Sequence, residues 1–192
     1  MIFGDDWSFV QNPKAASSAV TDALLPFTAP QHVHAFPDGK PSKHYLPRSG
    51  CVPLKRHRLG VVRNPYDRLV SAWSYRRERD PDVPDFRTWV LHDEWKIGAR
   101  PRQIDFLRTP QIEWLAGCNK VFRFEDLNAE FARWSYKHLG REIRLERLNP
   151  SVRSGGFVGY YIGDGPGGFD TELIDEVRRR FWFDFEIWKY PL

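Results

Sequence analysis

Three short apolar runs each lead straight into a helix start, and this recurrence constrains the chain more than any other feature. Trp7 to Gln11 meets Asn12-Pro13 and a small-residue turn. Leu59-Gly60-Val61-Val62-Arg63 meets Asn64-Pro65, and Lys120-Val121-Phe122-Arg123-Phe124 meets Glu125-Asp126-Leu127. β-Branched and aromatic residues favour strands, and proline ends sheet pairing. Strands that alternate with helices pair in parallel, because each helix carries the chain back across the sheet. The expectation is an α/β fold in three layers, a central and mainly parallel sheet flanked by helices. With 192 residues, the chain fits one domain spanning 1–192.

The helices follow from caps and stripes. After the first strand a helix runs to about Leu25, with Val20 and Leu24 on one face and Pro26 as its stop. Asn64 caps the next, Pro65 suits its first position, and Asp67 lies three residues after the cap. Leu69, Val70 and Trp73 form its apolar stripe, and Arg76-Arg77-Glu78-Arg79 suits its C-terminal dipole. Short helices are predicted at 85–92 and 110–116. A longer one carries Phe131, Trp134 and Leu139, and the last is marked by Leu173, Ile174, Val177 and Phe181. The alternating tail Phe183-Asp184-Phe185-Glu186-Ile187 reads as extended. Residues 26–56 have no clear period, and 155–168 hold seven of the 14 glycines, so both read as irregular.

Composition narrows the function classes. Hydrophobic residues make up 41% and aromatic residues 15%, too many for a disordered chain. The net charge of +4 permits an anionic partner without demanding nucleic acid. No run of apolar residues is long enough to span a membrane. Met1-Ile2-Phe3-Gly4-Asp5-Asp6 lacks the basic start and apolar run of a signal peptide. Cys51 and Cys118 read as free thiols in a reducing, cytoplasmic setting, with a disulfide between them as the alternative. Oligomeric state is not legible.

The turn Lys14-Ala15-Ala16-Ser17-Ser18 carries chemistry. N–H groups in the first turn of a helix point into the crevice beyond a strand's C-terminal end. Small side chains let an anion approach the backbone, Lys14 adds a mobile charge, and two hydroxyls add donors. This is a phosphate cradle by the logic of the P-loop, without the nucleotide-triphosphatase pattern. The alternative is a Ser-capped helix beside a surface lysine. Arg63 leaves a buried strand before a helix, and Ser71 stands two turns into it. Together they suit a second phosphate, through a rigid guanidinium fork and a short hydroxyl donor. Alternatively Arg63 pairs with a core carboxylate such as Glu125. Asp67 and Arg68 read as a surface pair or as support for Arg63.

Pro13-Lys14-Ala15-Ala16-Ser17-Ser18 and Val61-Val62-Arg63-Asn64-Pro65-Tyr66-Asp67-Arg68-Leu69-Val70-Ser71-Ala72-Trp73 together resemble the sulfotransferase superfamily, nearest to carbohydrate-type enzymes such as the uronyl 2-O-sulfotransferases. Val121-Phe122-Arg123-Phe124-Glu125-Asp126-Leu127 and Leu148-Asn149-Pro150-Ser151 look like later motifs of that family. The resemblance covers roughly residues 8–190. It implies a P-loop-like scaffold and the donor 3′-phosphoadenosine 5′-phosphosulfate (PAPS), with adenosine 3′,5′-bisphosphate as product and no metal requirement. By position, Lys14, Ala15, Ala16, Ser17 and Ser18 would hold the 5′-phosphosulfate, and Arg63 with Ser71 the 3′-phosphate. Ala16 stands where cytosolic relatives use glycine, and Ser18 where threonine is usual.

Sulfuryl transfer needs a cation at the bridging oxygen, the place of Lys14, and a base for the acceptor hydroxyl. Histidine suits that base. Of His32, His34, His44, His57, His92 and His138, Lys43-His44 looks like the lysine–histidine pair of carbohydrate-type relatives, so His44 is the expected base and His34 the second candidate. His57 reads as part of a solvated turn and His138 as structural or surface. Glu125 reads as structural, with a catalytic base as the alternative; Arg153 reads as a contact to the 3′-phosphate or the acceptor, and Tyr160 and Tyr161 as sugar-stacking rings or core cover. The expected acceptor is a saccharide hydroxyl. Three other readings exist. One is a zinc site from His32, His34, His44, Cys51 and His57, whose spacings match no standard module. Another is a small-molecule or nucleotide kinase on the same scaffold. The third is a nucleic-acid module using Arg76-Arg77, Arg100, Arg102 and Arg178-Arg179-Arg180, which are scattered and interrupted by acids.

Overall fold

The computed structural model describes residues 1–28, 55–92, 108–146 and 157–191. The chain divides into two units, residues 1–63 with 111–149 and residues 64–110 with 150–192. The first unit contains the sheet: β1 (Ile2–Phe3), β2 (Trp7–Phe9), β3 (His57–Val62) and β4 (Lys120–Arg123), in the spatial order β1-β2-β3-β4. β2 pairs with β3 in parallel, Trp7 opposite His57 and Phe9 opposite Leu59. β4 extends this, with Leu59 opposite Lys120 and Val62 opposite Arg123. β1 runs antiparallel to β2, so the sheet is mixed. Two residues are too few to give β1 a readable alternation.

The pleat gives the sheet two faces. Trp7, Phe9, Leu59, Val61 and Phe122 form one buried cluster with Val20 and Leu24 of α1 (Ser17–Leu24). Leu127, Phe131 and Trp134 of α5 (Leu127–Leu139) complete it. Phe122 meets Phe131 edge-on at 5.9 Å. Burying such a side chain stabilises the fold by roughly 1.5–3 kcal/mol. On the opposite face, Gly60 leaves room for Leu115 of α4 (Gln111–Leu115), whose Cδ2 would collide with an added Cβ. Helices thus cover both faces, an α/β arrangement.

His57 is not in a solvated turn. The parallel register with Trp7 draws it into β3, and its ring lies 4.3 Å from that of His138. His138 is stacked on Trp134 at 5.2 Å, and burial is the main cause that lowers its pKa, with the neighbouring His57 adding to it.

The second unit packs α2 (Pro65–Arg77), α3 (Phe86–Leu91) and α6 (Thr171–Trp188) against one another. The predicted cap of α2 forms, Asn64 Oδ1 accepting from Tyr66 N at 2.9 Å. Asp67 and Arg68 are not a surface pair: both lie in the first two turns of α2, which are buried throughout from Pro65 to Ala72, and Arg68 donates to Thr109 O at 3.0 Å. Tyr161 is buried, and its hydroxyl donates to Tyr66 O at 3.1 Å. Tyr160 packs edge-on against Trp73 and Phe86. Both tyrosines cover the core of this unit.

The tail 183–187 is helical, not extended. Leu173, Val177, Phe181 and Phe185 are buried at four-residue spacing, which continues a helical stripe through the alternating segment. Phe183 and Ile187 alternate with it only because they lie on the exposed side. Among the described residues no helix is long and apolar enough to cross a membrane.

Candidate functional site

β2 ends at Phe9, but Val10 N still donates to Leu59 O at 2.9 Å, so the chain remains alongside β3 until Asn12. Pro13 then removes a donor, and the chain turns sharply. Lys14 and Ala16 both take the left-handed conformation, with φ of 63° and 57°. A residue with a Cβ resists that region by roughly 1–2 kcal/mol. Ala15 between them is fully buried in the core cluster, which fixes the turn from below. Ala16 serves as the N-cap of α1 without any side-chain cap bond. A left-handed residue followed by a right-handed one directs successive N–H groups to one side, forming a concave anion nest at a helix N-terminus.

Ser17 does not cap α1. It is buried, and its hydroxyl donates backward to Asn12 O at 2.7 Å. Ser18, one position on, is half-buried.

Arg63 leaves β3 and is buried. Its guanidinium donates to Lys14 O at 3.1 Å and lies 4.1 Å over the Phe124 ring. Lys14 and Arg63, both singled out in the sequence, thus meet at the C-terminal ends of adjacent parallel strands. Carbonyl contact and ring stacking leave the fork held in one orientation.

Two amides missed in the sequence make this junction rigid. Asn12 Nδ2 donates to Val61 O at 2.8 Å and to Gln111 Oε1 at 2.9 Å. Gln111 Oε1 also accepts from Arg63 N at 3.0 Å, and Gln111 Nε2 donates to Arg63 O at 2.7 Å. Gln111 is fully buried and Asn12 nearly so. Asn12 read only as a strand stop, and Gln111 only as a residue after Thr109-Pro110. The sole local signal was a polar amide in each apolar neighbourhood.

Ser71 is buried within α2, in the second unit. Glu125 is exposed in the single 3₁₀ turn Phe124–Asp126 that precedes α5. His44, the expected base, lies outside the described residues, as do His32, His34, Cys51, Arg100, Arg102, Leu148-Asn149-Pro150-Ser151 and Arg153. Cys118 is a free thiol, and burial raises its pKa to about 12.

The strained turn gives a direct expectation. Ala16→Gly removes the Cβ from a left-handed position and should raise stability by about 0.5–1 kcal/mol in urea unfolding. Ala16→Val should lower it. If Ala16→Gly destabilises the chain, this account of the turn is wrong.

No protein-family model, curated protein or solved structure matches the chain.

Proposed function

We propose that the chain is a PAPS-dependent sulfotransferase on a P-loop-like scaffold, acting on a saccharide hydroxyl in a cytoplasmic setting. The observation that carries this reading is the bond from Arg63 to Lys14 O, which joins an anion nest and a buried guanidinium at neighbouring strand ends. PAPS has two anionic ends, a 5′-phosphosulfate and a 3′-phosphate. The nest of Lys14, Ala15, Ala16, Ser17 and Ser18 suits the first, and the Arg63 guanidinium the second.

In this reading the acceptor oxygen attacks sulfur in line with the sulfur–oxygen bond to the phosphate. That bond breaks as the new one forms, and the phosphate oxygen leaves with the electron pair. Lys14 neutralises the charge growing on this bridging oxygen, and the first N–H groups of α1 share it. His44 takes the proton from the acceptor hydroxyl. Two side-chain cations and a helix N-terminus supply the positive charge, so the step requires no metal.

The test is transfer of labelled sulfuryl from PAPS to a panel of saccharide, alcohol and phenol acceptors, with a chelator present. Transfer to a saccharide is expected. In the same assay His44→Ala should lower turnover by about 10²–10⁴-fold while adenosine 3′,5′-bisphosphate still binds. No transfer to any acceptor overturns the reading, and full turnover by the variant removes His44 as base.

A further inference from the structure

A second cationic recess lies at the other end of the sheet, within the first unit. Lys120 opens β4, so it stands at the N-terminal end of the parallel strands, whereas the nest and Arg63 stand at their C-terminal ends. Along α5, Arg133 and Trp134 stand three and four residues after Glu130, and Lys137 and His138 four residues after them, which puts all five on one stripe. With Lys120 they line an open hollow of about 340 Å³.

The charges in this hollow are unbalanced. Glu130 Oε2 accepts from Lys120 Nζ at 2.8 Å, so these two neutralise each other. Arg133 and Lys137 are exposed and make no ion pair among the described residues. They lie one helical turn apart, where like charges repel. The C-terminal dipole of α5 favours Lys137 but does little for Arg133. Trp134 and His138, stacked at 5.2 Å, form a stiff aromatic wall beside them.

We propose that this hollow binds an acidic saccharide, one sugar unit carrying sulfate or carboxylate groups, at a site separate from the nest. Arg133 and Lys137 take its anionic groups. Glu130 supplies what a phosphate chain has little use for: a carboxylate that accepts from sugar hydroxyls. A nucleic-acid strand brings mostly acceptors and needs open aromatic faces for its bases, whereas Trp134 is covered by His138. The site does not depend on whether the chain transfers sulfuryl groups.

The experiment titrates the full chain with a sulfated hexasaccharide, with a neutral hexasaccharide, and with single-stranded DNA of the same charge. The double variant Arg133→Ala/Lys137→Ala changes two exposed side chains, and an unchanged melting curve verifies its fold. The sulfated sugar should bind, the neutral sugar should not, and the double variant should weaken binding about tenfold or more with a shallower salt dependence. Glu130→Gln should weaken the sugar and leave DNA unweakened. Equal binding by wild type and double variant overturns the proposal. So does DNA binding as tight as the sugar's, which would make the hollow a general polyanion patch. Loss of sugar binding on Lys14→Ala, with none on the double variant, would assign the sugar to the nest and overturn it equally.

Discussion

Arg63→Ala should weaken binding of adenosine 3′,5′-bisphosphate by about a hundredfold, near 3 kcal/mol. Binding of adenosine 5′-monophosphate should fall by no more than about threefold. The asymmetry is the point. The guanidinium is buried, stacked over Phe124 and held by Lys14 O, so it meets a second phosphate without first losing rotational freedom. A charge-assisted, forked contact with that phosphate is lost when Arg63 is truncated. Arg63→Lys should recover little, because an ammonium cannot reproduce the fork. Calorimetric titration of both nucleotides separates this role from a structural one. If Arg63 only props up the Lys14 turn, both affinities fall together, and the assignment of Arg63 to a 3′-phosphate fails.

Gln111→Leu should lower the unfolding free energy by about 3 kcal/mol or more. Leucine is similar in size and helix propensity, so the loss isolates the amide. Three bonds disappear at once: from Arg63 N, from Asn12 Nδ2, and to Arg63 O. Each leaves a buried polar group unsatisfied, at a cost of roughly 1–3 kcal/mol. Asn12 retains its bond to Val61 O, which limits the damage. Urea denaturation measures the change directly, and a loss within about 0.5 kcal/mol would mean that the amide is not the brace described. A soluble, folded Gln111→Leu chain should also bind adenosine 3′,5′-bisphosphate more weakly, since the Arg63 backbone is then held by fewer bonds.

The strands were legible because their residues state their own environment. Val61 and Val62 are β-branched and buried, and Asn64-Pro65 marks a helix start whatever surrounds it. The Lys14 turn was legible as a strand-to-helix turn of small residues and not in its left-handed geometry. Glycine would have announced its left-handed residues, but Lys14 and Ala16 adopt that conformation because Ala15 is anchored in the core and Asn12 is tied to β3. The reading of α1 as Ser-capped fails for the same reason, since the Ser17 hydroxyl donates to a backbone oxygen five residues earlier. Gln111 lies 48 residues from Arg63, and no local pattern joins them. In α6 the local pattern itself misled: Phe183, Phe185 and Ile187 alternate, yet only Phe185 of the three is buried, on the stripe that Val177 and Phe181 begin.

The central claim is that the backbone of one strained turn and one buried arginine hold the two ends of a single nucleotide. Amide NMR of the chain titrated with adenosine 3′,5′-bisphosphate reads both ends at once. Large, saturable shifts are expected at the N–H groups of residues 15–18 and at Arg63 Nε, with one shared affinity. Saturable binding that leaves these signals in place, or no binding at all, would contradict the claim.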